Sequence, residues 1–251
     1  GQLNAGTVNS LMLSIVSDNA PDVAVSVGVS TPVELAIRDA ALELSSMEGF
    51  DEFAAEFLPE TFVPLSFNKK IYGVPERMDF RLMFYRKDIL AELGLSVPNT
   101  WEEFYATTLQ VLKQNQLEAY IPQDINMFLF QRGGRYYTDD GLRSAFDTVE
   151  GYAAFEEMVR LYTNYGIPLT TAFFSRFRIG SIPIGIGGYV DYISLLTGAP
   201  ELAGKWGIAL IPGHKDKDGN INRSWSGSTT SASMALGFTK HPDECSRYRK
   251  E

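Results

Sequence analysis

The 251-residue chain has little of what most metal and thiol chemistry needs. A single cysteine, Cys245, excludes an internal disulfide framework and any zinc site built on thiolates. The two histidines, His214 and His241, are too few for a histidine-rich metal centre. No apolar run approaches the ~20 residues that cross a bilayer. The opening Gly1-Gln2-Leu3-Asn4 lacks the basic and apolar regions of a signal peptide. The protein is therefore cytosolic, or its targeting segment has been cut away. Lysines and arginines are scattered and the net charge is −9, which argues against a nucleic-acid partner.

What is present is a globular composition. Hydrophobic residues make up 45% and aromatics 12%, enough for a packed core in one large or two ordinary domains. Val8, Leu11, Met12 and Ile15 predict a helix over 3–17. Val23–Val27 reads as a buried strand, Gly28–Thr31 as a loop, and Pro32 as the first position of a helix capped by Thr31. The Phe- and Pro-rich stretch 50–67 reads as short helical pieces over the surface. Ile71–Pro75 and Phe80–Tyr85 predict strands, and Lys87–Leu93 a helix stopped by Gly94. Thr100-Trp101-Glu102-Glu103 is a capping box. Asp147-x-x-Glu150 opens another helix in a similar way, with Tyr152, Phe155, Val159 and Tyr162 as its stripe and Gly166 at its end. Strands are expected at Ile182–Tyr189, Trp206–Pro212 and Ser233–Phe238, and a helix start at Lys240–Glu244. The order is mixed α/β without repeats.

Several motifs divide between a chemical and a plain reading. Gly185-Ile186-Gly187-Gly188 is not a dinucleotide fingerprint. Asp216-Lys217-Asp218-Gly219-Asn220 lacks the glycine and glutamate positions of a calcium loop and reads as a hairpin turn. Ser226–Ser231 has no histidine to activate a nucleophile and reads as a flexible crossing loop. Tyr189-Val190-Asp191-Tyr192 offers flat rings and a carboxylate that accepts hydroxyl protons, a combination suited to a sugar. Equally, the two tyrosines cap a helix–sheet core; Trp225 beside Ser226 has the same standing. Asp79 with Arg77 and Arg81 is a surface ion-pair cluster or a hydrogen-bonding set. Together with Glu76 it lies where one α/β lobe hands over to another.

Five segments together resemble the family 1 extracellular solute-binding proteins of ABC importers, the maltose-binding-protein group. They are Asn19-Ala20-Pro21-Asp22-Val23, Lys70–Pro75 (KIYGVP), Leu82–Asp88 (LMFYRKD, with Arg86 for the usual Asn), Pro98–Phe104 (PNTWEEF), and Ile184–Tyr189 with Trp225-Ser226-Gly227. Each is short; their order over nearly the whole chain makes the likeness specific.

The resemblance implies a two-lobed, periplasmic-binding-protein-like (type II) clamshell with mixed sheets. Its N-terminal lobe would be 1–78 plus 227–251, incomplete, and its C-terminal lobe 79–226. It further implies a non-enzymatic receptor that holds a sugar or oligosaccharide between the lobes and feeds ABC permease transmembrane subunits. Such a receptor is monomeric, free of cofactors and metals, and extracellular or periplasmic with a lipid anchor. Carried over by position, its ligand residues are Ser30 and Thr31 in the first loop, and Glu76, Arg77 and Asp79 at the crossing. Gln123, Asp124, Asn126, Tyr189, Asp191 and Tyr192 follow from the second lobe, and Trp225 and Ser226 from the return crossing. Val29 stands where a polar sugar ligand is often found, so the site differs from a maltose site. The alternatives are an α/β carbohydrate-active enzyme using Asp79 and Asp191 as paired carboxylates, and a ligand-sensing clamshell without transport.

Overall fold

Val8, Leu11, Met12 and Ile15 do share one packed face, on helix α1 (Gln2–Val16) of the computed structural model. The structure describes residues 2–17, 19–138, 142–224 and 228–247, with side chains over 8–17, 19–138, 142–224 and 230–245. It divides into two units: Gly1–Asp79 with Gly227–Glu251, and Phe80–Ser226.

In the first unit α1 leads to β1 (Val23–Gly28), whose pairing shifts register between Ala24 and Val27, with Ser26 at φ 52°. This is a β-bulge, and it turns the Ser26 amide out of the ladder. Helix α2 (Thr31–Ala36) starts one residue earlier than expected, because Ser30 already has helical backbone angles. Ser30 is therefore the cap residue, and Thr31 lies inside the helix. Helix α3 (Phe50–Ala54) and a 3-10 turn (Pro59–Leu65) were expected over the surface. Instead Phe50, Phe62 and Leu65 are buried, with the Phe50 and Phe62 rings edge to face at 6.0 Å.

The expected strand Ile71–Pro75 is split. Asn68 and Lys69, both at positive φ, make the tight turn that joins β2 (Ser66–Phe67) to β3 (Lys70–Ile71). Gly73 then lets Pro32 approach, since a β-carbon there would sit 2.9 Å from its ring. Strand β4 (Val74–Asp79) continues through the polar residues because its backbone is paired along its length.

In the second unit β5 (Leu82–Arg86) runs into α4 (Lys87–Glu92), and Gly94 at φ 66° closes it with Leu95 N–H on the Leu90 carbonyl. Helix α5 (Trp101–Glu103) carries the expected capping box and passes through a π turn (Phe104–Thr108) into α6 (Leu109–Gln114). Then come β6 (Ala119–Tyr120), α7 (Ile125–Gln131), α8 (Val149–Thr163), α9 (Phe173–Arg178), β7 (Ile184–Gly187), α10 (Tyr189–Gly198) and β8 (Trp206–Ala209). The hairpin β9 (His214–Lys215) and β10 (Ile221–Asn222) turns on Asp216, whose Oδ1 accepts from the amides of Asp218 and Asn220. Back in the first unit, β11 (Ser228–Ala235) and α11 (Pro242–Arg247) complete the order. Ser228–Ser231, expected in a loop, belong to this strand.

Helix α8 corrects two expectations. Its cap is Thr148, not Asp147: the Thr148 hydroxyl accepts from Gly151 N–H. Its buried positions are Gly151, Ala154, Glu157 and Leu161, whereas Tyr152, Phe155 and Val159 are exposed and Tyr162 is half-buried. At the start of the helix small residues face inward because the chain passes close by; a β-carbon on Gly151 would stand 2.4 Å from the Phe146 carbonyl oxygen.

The first unit's sheet has the order β1-β11-β4, both pairings antiparallel. The second unit's sheet has the order β6-β7-β5-β8, with β6 and β7 parallel and the rest antiparallel. Successive residues of a strand point to opposite faces. Met83 accordingly joins the core with Trp101, Phe104 and Phe128, while Phe84 joins Phe173, Phe177 and Leu195. Arg86, at the usual Asn of the motif, is only 8% exposed. It forks onto Asp88 at 2.8 and 2.6 Å and donates to the carbonyls of Phe177 and Arg178, tying β5 to the end of α9.

Candidate functional site

Each unit gathers polar residues at the carboxyl ends of its parallel-running strands, where open α/β sheets place ligands. In the first unit Gly28 and Arg77 both stand opposite Ser231, so β1 and β4 finish at the same end of the sheet. Ser30 follows β1 there, and Arg77 and Asp79 close β4. Arg77 is exposed and its carbonyl accepts from the Thr230 hydroxyl. Thr31 is fully buried, with its hydroxyl oxygen in no hydrogen bond. Glu76 is engaged across all three strands. Both carboxylate oxygens lie 3.0 Å from Ser26 N–H, and the hydroxyls of Ser26, Ser231 and Ser233 also donate to it. Burial pushes its carboxyl up, but the donors on Ser233, Ser26 and Ser231 outweigh that and hold it below the ordinary glutamate range.

In the second unit β6 leads to Pro122–Asp124, β7 leads to Gly188–Tyr192, and Phe80–Arg81 precede the antiparallel β5 at the same end. Gln123, Asp124, Asn126, Tyr189, Asp191 and Tyr192 thus share one rim. Gln123 is exposed and donates to the Leu169 carbonyl. Asp124 caps α7 by accepting from Asn126 N–H at 3.1 Å, and its other oxygen lies 3.6 Å from Arg81 Nε. Asn126 keeps a buried amide oxygen without a hydrogen-bond partner.

The strand expected to reach Tyr189 ends at Gly187, and Tyr189, Asp191 and Tyr192 lie in the first turn of α10. Asp191 Oδ2 accepts from Gly188 N–H at 2.8 Å, so the carboxylate orients the helix it belongs to. The Tyr189 and Tyr192 rings stack at 5.8 Å, with Phe80 beside Tyr189 at 5.5 Å and Trp206 edge-on to Tyr192. Tyr189 is 44% exposed. Trp225 and Ser226 lie outside the described residues.

A hollow of about 360 Å³ opens at this rim, lined by Arg81, Asp191, Tyr120 and Phe173 among others. The wall Thr171–Ser175 carries no periodic signal in the sequence, since it spans two loop residues and only the first turn of the short α9. A larger cavity of about 610 Å³ lies elsewhere in the unit, among Trp101, Tyr105, Arg132, Tyr165, Arg160 and His214. Its floor is Glu157, only 8% exposed. Tyr105 hydroxyl, Arg132 and His214 Nε2 converge on that carboxylate. Burial raises the Glu157 carboxyl, yet His214 and Arg132 hold it below the ordinary range. Among the described residues no group of histidine, cysteine or acidic side chains is arranged to hold a metal, and no helix is long and apolar enough to cross a membrane.

Residues 4–239 match the family described as bacterial extracellular solute-binding protein, and the chain belongs to that family. Among relatives, it is 23% identical over 235 residues to an arabinooligosaccharide-binding protein of Halalkalibacterium halodurans, covering 81% of this chain and 49% of that protein. The sugar-binding protein MalE of Xanthomonas citri superposes with TM-score 0.76 at 22% identity, over 98% of this chain and 64% of that one. A solute-binding protein of Thermotoga lettingae bound to α-D-tagatose gives 0.69 at 21% identity, over 97% and 66%. The fold is thus that of the type II periplasmic solute-binding proteins. The chain spans about half the length of the curated relative and about two thirds of these solved chains.

Proposed function

We propose that the protein is the substrate-binding component of an ABC importer: a monomeric, non-enzymatic receptor that presents a sugar or oligosaccharide to permease transmembrane subunits. The observation that carries this reading is the rim of the second unit. There stacked tyrosine rings, one of them exposed, share a helical turn with Asp191, and Asp124 and Asn126 follow β6 at the same end of the sheet. A sugar presents C–H faces to such rings and hydroxyls to such oxygens. In this reading Tyr189 and Tyr192 stack, and Gln123, Asp124, Asn126 and Asp191 bond hydroxyls. Ser30, Arg77 and Asp79 belong to the first unit's share, with Glu76 and Thr31 shaping it and Trp225 and Ser226 completing the set. Family membership supports an extracellular location, and a lipid anchor at the cell membrane fits that placement. The names of the relatives, an arabinooligosaccharide-binding protein and tagatose- and maltose-bound receptors, support a carbohydrate as ligand.

Asp191 is engaged in capping its own helix, which suits a fixed hydrogen-bond acceptor better than a proton-shuttling acid. Isothermal calorimetry of the full-length protein against mono- and oligosaccharides tests the reading. Saturable binding of at least one sugar, without turnover of it, is the expected result. Silence across a broad panel removes the carbohydrate assignment.

A further inference from the structure

Ile184 and Ile186 of β7 join the core on one face of the sheet, so Gly185 and Gly187 face the other, toward α9 and α10. Side chains from both helices occupy the space the glycines leave. A β-carbon on Gly185 would stand 2.6 Å from the Phe173 ring, and one on Gly187 2.6 Å from Asp191 Oδ2. On Gly198, at the end of α10, it would stand 3.0 Å from the Phe174 ring. Three glycines therefore fix where two rings and one carboxylate press against the backbone. Phe173, Phe174 and Asp191 all line the same 360 Å³ hollow, together with Arg81 and the hydroxyl-bearing Thr171 and Ser175. The hollow is a built feature of the fold, and the Ile-Gly-Ile-Gly pattern is its signature.

Its charge and size limit what enters. Among the described lining residues Arg81 is the cation and Asp191 the carboxylate; Asp124, which does not line the hollow, lies 3.6 Å from Arg81 and offsets its charge. The carboxylate of Asp191 then repels an anion, whereas neutral hydroxyls donate to it and accept from the guanidinium. The volume sits at the low end of ligand pockets, which run about 300–1,000 Å³.

We propose that this hollow is a subsite for one ring of a neutral sugar and that Asp191 excludes sugar acids and sugar phosphates from it. The inference rests on the sugar-receptor reading and deepens it by naming the accepted class.

Calorimetry on the full-length protein tests it, using the tightest neutral sugar of the panel beside its uronic-acid and phosphate derivatives. Wild type is expected to favour the neutral sugar by about 100-fold, since like-charge contact costs several kcal/mol. Asp191→Asn keeps the shape and can still accept from Gly188 N–H. It is expected to shrink that preference to about tenfold or less while leaving the melting temperature near wild type. Gly187→Ala, which crowds the carboxylate, is expected to weaken neutral-sugar binding. Equal wild-type affinity for neutral and anionic forms overturns the inference alone, as does a preference untouched by Asp191→Asn. A wild-type protein that binds no sugar overturns the receptor reading beneath it.

Discussion

The amide of Ser26, turned out of its strand at φ 52°, points between the two carboxylate oxygens of Glu76, 3.0 Å from each. Strand β1 supplies the donor, β4 the acceptor, and the serines of β11 between them add theirs. Glu76→Gln is expected to destabilise the first unit by about 1–2 kcal/mol, toward the lower end for charged hydrogen bonds because the residue is solvent-accessible. The sign of the pH effect follows from the lowered carboxyl. The contribution is fully present above the ordinary glutamate pKa and is lost as pH falls through the depressed folded value. Urea melts of wild type and variant at a series of pH values from neutral to strongly acidic check this. Their midpoints should converge in acid, and a constant gap would contradict the assignment.

Arg86 is the residue by which the YRKD segment departs from its family pattern, and its contacts are internal. Removing it strands two carbonyls at the end of α9 and leaves Asp88 without its fork. Arg86→Met is expected to cost the second unit about 2–4 kcal/mol. Chemical denaturation reads the loss. Sugar affinity of the folded fraction should stay unchanged, because Arg86 is not among the residues lining the hollow.

Glu157 is a buried acid that accepts from Tyr105 and Arg132, with His214 Nε2 2.9 Å away, on the floor of the flank cavity. Glu157→Gln is expected to destabilise by about 2–4 kcal/mol, as loss of the carboxylate leaves the Arg132 guanidinium uncompensated. Since its carboxyl is held low, this contribution also fades on acidification through the folded value. A double-mutant cycle with His214→Gln measures the pairing; purely additive effects would mean the 2.9 Å contact carries no energy.

Gln131 links α5 to the loop before the β9–β10 hairpin. Its side chain accepts from the Trp101 indole N–H at 2.8 Å and donates to the Pro212 carbonyl at 3.0 Å. Gln131→Leu leaves both groups buried and unpaired, at a cost of about 1–3 kcal/mol each. Hydrogen exchange at the hairpin amides should quicken in the variant, and unchanged protection would count against the linkage.

The sequence was most legible where a rule is local. The Thr100 capping box, the α1 stripe and the Gly94 stop depend on neighbours within one or two turns, and all are present. Misplacements arose where distant chain decides. Helix α8 has apolar residues on two faces, and only the close approach of Phe146 to Gly151 selects the inward one. Strand β4 keeps going through Glu76–Asp79 because β11, far along the chain, pairs with it. At the candidate site, Tyr189, Asp191 and Tyr192 could be picked from their types. Their place in a helix follows from the local Gly188–Asp191 cap, whereas the wall from Thr171 to Ser175 follows from tertiary packing.

The position of β11 has a consequence for biosynthesis. It separates β1 from β4, so those two earlier segments lack their ladder partner until the ribosome has passed β11. The uninterrupted half, by contrast, owns every strand of its own sheet before that point. Synthesis thus orders the pairing: the uninterrupted unit can complete its ladder before β11 joins β1 to β4.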